Sequence, residues 1–153
     1  MKKLFLVLVI SLFWGNICSA NSLKIVDGDT IVLNGKKIRF EGIDTPELKQ
    51  TCLKDNEKVK CGMLAKKLLI KKIGNNVPAC IGKKKDFYKR TLAECFINGE
   101  SLSSFMVKNG YACDYIYYSK GKYAKEQKYA KASKLGVWKM KYNTSWENKC
   151  RKK

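Results

Sequence analysis

Histidine is absent from this 153-residue chain. Without imidazole, proton transfer near neutral pH falls to carboxylates, and the zinc ligand sets that need a histidine are excluded. No CxxC pair is present either, which removes the other common zinc signature. Arginine is nearly as scarce, with only Arg39, Arg90 and Arg151 among 32 basic residues. Acids number 13, so the formal charge is +19. Past the N-terminal twenty residues no apolar run is long enough to cross a bilayer, and no internal repeat or low-complexity linker divides the chain. What remains is one small, strongly basic domain with a modest core.

The part that is plainly present comes first. Lys2 and Lys3 precede the apolar run LFLVLVISLFW, and CSA follows, ending at Ala20. A charged start, a short apolar centre and a small-residue exit make a secretory signal, and Leu4 to Trp14 is too short for a membrane anchor. The expectation is a signal peptide over residues 1–20, cleaved near Ala20, and a secreted or periplasmic protein with no stable membrane association afterwards. Bulky Ile17 before Cys18 argues against lipid attachment. Cleavage removes two lysines and one cysteine, leaving a charge of +17 and six cysteines. In an exported chain these six form three disulfides. Fifteen pairings are compatible with the sequence; taking near neighbours first gives Cys52–Cys61, Cys80–Cys95 and Cys113–Cys150.

So high a charge on so small a domain makes a polyanion the expected partner, because lysines that displace condensed counterions from phosphates gain affinity without reading sequence. Nucleic acid leads and an anionic membrane is second; like charge on a solubilising surface is the bland alternative, with a monomer as default.

Apolar alternation runs through LKIVDGD and TIVLNGKKIRF, with Asn34-Gly35 placed as a two-residue hairpin turn. Gly28 and Gly42 interrupt strands where a small barrel would bend. A polar loop is expected from Leu48 to Lys60, then a helix over CGMLAKKLLIKKI with Met63, Leu64, Leu68 and Ile73 on one face and Gly74 as its stop. Val77 to Ile81 and Arg90 to Ile97 read as strands. SLSSFMVKNG reads as a second helix capped by Ser103 and ended by Gly110, and Tyr123 to Leu135 as a third. Five short strands with hairpin-length connections and three helices predict an α+β fold, a five-stranded barrel of the oligonucleotide-binding (OB) type. The domain is expected over residues 21–138, followed by a basic, irregular tail over 139–153.

Four of the thirteen acids, Asp27, Asp29, Asp44 and Glu47, gather around Arg39 in VDGDT and RFEGIDTPE. Carboxylates repel, so such a gathering calls for a cation. If the first strands form an antiparallel meander, Asp29 and Asp44 end at one barrel edge. The donors there are oxygens, namely two aspartates, a carbonyl near Thr45 aimed by Pro46, and water, which favours calcium over zinc or a transition metal.

Together, VDGDTIVLNGKKIRFEGIDTPE and DFYKRTLAEC, followed more loosely by NGYACDYIYY and KASKLGVW, resemble the staphylococcal nuclease (thermonuclease) family over about residues 23–138. The resemblance implies an OB barrel with three helices and a calcium-dependent endonuclease that cuts DNA and RNA at the 5′ P–O bond, leaving 3′-phosphates. It implies that Asp29 and Asp44 bind calcium through side chains and Thr45 through its carbonyl. Arg39, Glu47 and Arg90 become the catalytic trio, and Tyr88 holds the substrate phosphate.

Residue chemistry agrees with those roles. Phosphodiester hydrolysis needs negative charge stabilised at phosphorus, a water in line with the leaving oxygen, and a substrate held still. Arg39 and Arg90 offer planar paired donors. Glu47 is the natural base in a chain without histidine, orienting water more than removing its proton. Lys89 stands where the founding member has glycine, adding a phosphate-reaching charge to a stiffer turn; Glu41 reads as a strand-surface acid. Tyr115 and Tyr118 are candidates for stacking on a base, which would favour single-stranded or breathing substrates. The rivals are a non-catalytic secreted nucleic-acid-binding OB module and a basic protein directed at membranes.

Overall fold

The computed structural model describes residues 22–142. Three strands, β1 (Leu23–Ile25), β2 (Thr30–Leu33) and β3 (Lys36–Phe40), form the expected antiparallel meander. Asn34 and Gly35 both adopt positive φ, 50° and 75°, as a type I′ turn requires. Along β3 the alternation is strict where it matters: Ile38 and Phe40 are buried, while Lys37 and Arg39 face the other way. Gly42, at φ 78°, turns the chain into β4 (Ile43–Asp44); a Cβ there would lie 3.0 Å from Ser119 and 3.3 Å from Tyr123.

The expected loop from Leu48 to Lys60 instead contains a hairpin, β5 (Cys52–Lys54) and β6 (Glu57–Val59). Asp55 and Asn56 turn it with φ of 52° and 65°. No apolar alternation announces these strands, since β5 and β6 are exposed apart from Cys52 and Val59. The helix α1 (Cys61–Ile73) has the expected bounds, but its buried face is Cys61, Ala65, Leu69 and Ile73, four residues apart each time. Met63, Leu64 and Leu68, assigned to that face from the sequence, are only half-buried. Gly74 closes the helix at φ 55°, as expected.

Strand β7 (Ala79–Ile81) starts later than expected and pairs with β8 (Thr91–Ile97), whose Ala93, Cys95 and Ile97 point into the core. β8 lies parallel to β3, with Arg39 opposite Leu92. Hairpin-length connections therefore do not account for every neighbour, and one crossover carrying α1 joins two parallel strands. The order β1-β2-β3-β8-β7 gives a curled sheet consistent with the OB fold.

After β9 (Glu100–Ser101) comes α2 (Leu102–Lys108), capped by Ser101, whose side chain accepts from the Ser104 amide. Ser103, the expected cap, is instead the second residue of the helix and fully buried. Strand β10 (Cys113–Asp114) pairs with β4, setting Cys113 opposite Asp44. A one-turn helix, α3 (Ile116–Ser119), precedes α4 (Ala124–Ala132), so four α-helices rather than three occur among the described residues. A 3-10 turn over Gly136–Lys139 leads into β11 (Lys141–Tyr142), which pairs with β5. The tail expected to be irregular from residue 139 thus begins with ordered structure.

The main core joins Ile31, Phe40 and Ile43 of the sheet to Leu69 of α1 and Leu102, Met106 and Val107 of α2, all nearly or fully buried. Cys52, Cys61, Cys113, Val137 and Met140 form a second small cluster beneath the hairpin. Disulfides Cys52–Cys61 and Cys80–Cys95 form as expected. Cys113 is also disulfide-bonded. Its expected partner Cys150, the signal segment 1–20 and most of the tail lie outside the described residues.

Candidate active site

Asp29 stands just before β2, where the Asp27 side chain accepts from its amide at 3.0 Å and turns the chain into the strand. Arg39 lies on β3 opposite Thr30, so the meander brings guanidinium and carboxylate face to face. Arg39 donates through Nη1 to Asp29 Oδ1 and through Nη2 to Asp44 Oδ1, the latter at 2.8 Å. Both aspartates are buried, 2% and 4% exposed. Asp29 Oδ1 also accepts from the Thr30 hydroxyl at 3.0 Å, while Oδ2 accepts from the Thr45 amide at 3.1 Å and hydroxyl at 3.0 Å. One buried carboxylate thereby joins β2, β3 and the loop after β4.

Burial pushes the Asp29 carboxyl up to about 7 against the opposing pull of Arg39, with Asp27 and Asp44 adding to the rise. Burial alone would lower Arg39, but the carboxylates of Asp29 and Asp44 outweigh it and hold the guanidinium charged. The acidic cluster noted in the sequence is real, and in this structure Arg39 is the cation between its two buried members. Removing either partner leaves an uncompensated buried charge, at a cost of about 3–5 kcal/mol.

Asp29, Asp44 and Thr45 converge and are all buried, and they offer only oxygen. Among the described residues no group of three or more His, Cys, Asp or Glu gathers into a cage. The donor chemistry suits a hard, oxygen-ligated cation, and in this structure the Arg39 guanidinium holds the place between the two carboxylates.

Arg90 arrives from the far side of the crossover, immediately before β8. Its Nε donates to Asp86 Oδ2 at 2.7 Å, its Nη2 lies 2.6 Å from the same oxygen, and its amide donates to Asp86 Oδ1 at 2.9 Å. The guanidinium carbon lies 5.4 Å from the centre of the Tyr88 ring. Desolvation alone would raise the Asp86 carboxyl, but hydrogen bonds from the Arg90 side chain and amide, with the guanidinium charge, together outweigh it and hold the group below the usual carboxylate range. Parallel pairing of β3 with β8 makes Arg39 and Arg90 line one cleft of about 680 Å³, together with Asp27, Asp44 and Glu47.

Glu47 is exposed at the cleft, and its amide donates to the Gln50 side chain at 3.0 Å. Its position depends on a close approach of α1. A Cβ on Gly62 would stand 1.8 Å from the Glu47 carbonyl oxygen, so only glycine lets the first turn of the helix support this loop. Tyr88, 75% exposed, lines the cleft, as do Tyr115 and Tyr118, whose rings meet edge to face at 4.9 Å.

Of the ten residues singled out in the sequence, Arg39, Asp44, Glu47, Tyr88, Arg90, Tyr115 and Tyr118 line this cleft. Asp29 and Thr45 lie beneath it, bonded to each other and, through Asp29, to Arg39. Lys89 is not among the lining residues; it takes φ 62°, the left-handed conformation that the glycine of the founding member would adopt without strain. Lys37 and Lys85 supply cleft charge instead, and Asp86 and Phe87 were also missed. A readable signal existed for Asp86, an acid four residues before an isolated arginine; none marked the lysines. Glu41 is exposed on the rim, as expected, and Arg39 bonds to Asp29, Asp44 and the Ile43 carbonyl instead.

An OB fold whose cleft holds Arg39, Arg90 and Glu47 over the buried Asp29 and Asp44 has the makings of an anion site. Residues 37–140 match the family described as staphylococcal nuclease homologue, and the chain belongs to that family. Succinoglycan biosynthesis protein ExoI of Rhizobium meliloti is 30% identical over 118 residues, covering 75% of this chain and 62% of its own. An uncharacterized endonuclease of Haemophilus influenzae is 33% identical over 122 residues, covering 76% and 64%. Endonuclease YncB of Bacillus subtilis is 31% identical over 135 residues, covering 75% and 59%. The chain thus spans less than two thirds of the length of these three relatives.

Proposed function

We propose that this protein is an exported, calcium-dependent, sugar-nonspecific endonuclease that hydrolyses phosphodiester bonds of DNA and RNA, cutting the 5′ P–O bond and leaving 3′-phosphates. The observation that carries the reading is the convergence of Arg39, Glu47 and Arg90 on one cleft over the buried Asp29–Asp44 pair. Two relatives named as endonucleases support the reaction class. Export rests on the N-terminal signal pattern and on the disulfides.

Each side chain has one task. Arg39 and Arg90 donate paired N–H groups to nonbridging phosphate oxygens, and each such donor set contributes about 10²–10³ in rate when charge builds up in a water-poor site. Glu47 accepts a hydrogen bond from the attacking water and orients it against phosphorus. The Tyr88 hydroxyl steadies the phosphate, and Lys37 and Lys85 hold the backbone on either side. A calcium ion held by Asp29, Asp44 and the Thr45 carbonyl would supply fixed positive charge beside the same phosphate.

The protein is incubated with plasmid DNA and with RNA, with calcium and with a calcium chelator, beside Glu47→Gln. Cutting of both substrates that needs calcium, yields 3′-phosphate ends and falls by orders of magnitude in the variant is the expected result. Retention of uncut nucleic acid would replace the enzyme with a binding module. Undiminished cutting in chelator would remove calcium, and normal cutting by the variant would remove Glu47.

A further inference from the structure

The turn between β7 and β8 presents a phenylalanine to water. Phe87 is 94% exposed, more than any other large hydrophobic residue described, yet it lines the cleft beside Tyr88 and Arg90. Burying such a ring is favourable, so an intramolecular seat would ordinarily be preferred. Nor is the ring carried on a loose loop. The Asp86 amide donates to the Arg90 carbonyl at 3.0 Å, the Lys89 amide to the Asp86 carbonyl at 2.9 Å, and the Arg90 amide to the Asp86 carboxylate at 2.9 Å. These bonds fix the turn with Phe87 outermost.

Its neighbour is already engaged. The Tyr88 ring has the Arg90 guanidinium within 5.4 Å and meets Phe87 edge to face at 5.6 Å. Phe87 has no hydroxyl to give a phosphate, and an edge-to-face contact leaves ring face available. Tyr115 and Tyr118 line the same cleft as a separate ring pair. A strand whose phosphate rests on Arg39 and Arg90 therefore has two separate aromatic walls within the cleft.

We infer that Phe87 is a second base platform, stacking on the nucleobase at one flank of the reacting phosphate while Tyr115 and Tyr118 serve the other, so that the cleft grips a single strand by two bases at once. The inference rests on the nuclease reading and deepens it. Lys85 in the cleft and exposed Lys83, Lys84 and Lys89 around the turn hold the backbone on that side. A duplex, with its bases stacked on one another, cannot use both walls without unpairing.

The test uses single-stranded oligodeoxynucleotides with one cleavable linkage, the base on either flank being present or removed, and compares the native protein with Phe87→Ala and Phe87→Trp. Base–aromatic stacking predicts a loss in kcat/KM of about 5- to 150-fold for Phe87→Ala, with Phe87→Trp near native. Removing one flanking base should reproduce the loss in the native protein and add little in Phe87→Ala. Removing the other should penalise both alike.

A second readout needs no chemistry. In chelator, 2-aminopurine at the sensitive flank should be quenched on binding to Glu47→Gln and remain bright with Glu47→Gln/Phe87→Ala. Equal sensitivity of Phe87→Ala and native protein to both abasic positions would overturn the inference. So would unchanged cutting accompanied by lost binding to anionic phospholipid vesicles, which would make Phe87 a membrane anchor. Native protein that binds and quenches without cutting would overturn the nuclease reading and leave the platform standing.

Discussion

Gly62→Ala adds one carbon, far from any reacting atom, and should nevertheless cost most of the activity. The new Cβ would start 1.8 Å from the Glu47 carbonyl oxygen and 2.5 Å from its carbonyl carbon, whereas real Cβ atoms essentially never come within 3.0 Å. Relief requires more than an ångström of movement, and both sides are held. Gly62 is flanked by Cys61, tied to Cys52, while the Glu47 carbonyl accepts from the Gln50 amide at 2.7 Å. The loop of Glu47 is the softer partner, being exposed, so it moves. A displacement of about 1 Å at a positioned group costs roughly 10²-fold in rate. Alanine's better helix propensity recovers up to about 1 kcal/mol of stability, against about 1–3 kcal/mol for overpacking, so the melting temperature should fall modestly. Steady-state kinetics on single-stranded DNA, read beside a thermal melt, separates the two effects: kcat drops about 10²-fold while KM and the fold survive. An alanine variant with native kcat would refute the claim that α1 sets the position of Glu47.

Asp86→Asn should loosen Arg90 and lower kcat, and its effect on stability should depend on pH. Because folding lowers the Asp86 pKa, its contribution is present above the ordinary carboxylate range, near about 3.9, and is lost as pH falls through the lowered value; thermal melts of the two proteins should converge in acid. Replacing Cys80 and Cys95 together by alanine opens a link of sequence separation 15 and should cost about 3 kcal/mol, measured by urea denaturation. Lys89→Gly should relieve left-handed strain and stabilise the fold by about 1 kcal/mol, raising the melting temperature while weakening substrate binding through the lost charge.

Much of the fold could be read from local chemistry. Asn34-Gly35 announced the first hairpin, and the strict alternation of Ile38 and Phe40 announced the face of β3. The hairpin at Asp55-Asn56 left no apolar pattern because most of its residues face solvent, held by a disulfide and by pairing with β11. The face of α1 was misread because Met63, Leu64 and Leu68 outweigh Ala65 in hydrophobicity, while close packing selects the small residue. At the site, the acids and arginines stood out by scarcity. Lys37 and Lys85 did not, since a lysine among many gains meaning only once β3 and β8 lie side by side.

The parallel seam between β3 and β8 has a practical corollary. Asn75 and Asn76 sit in an exposed turn between the arms it joins. Opening the backbone there would yield one piece holding Asp29, Arg39, Asp44 and Glu47, and another holding Arg90 and the cleft tyrosines, each retaining a disulfide of its own. Neither piece would cut alone. Mixed, they should regain hydrolysis in proportion to the product of their concentrations, so that a nick at this turn converts a constitutive activity into a proximity sensor.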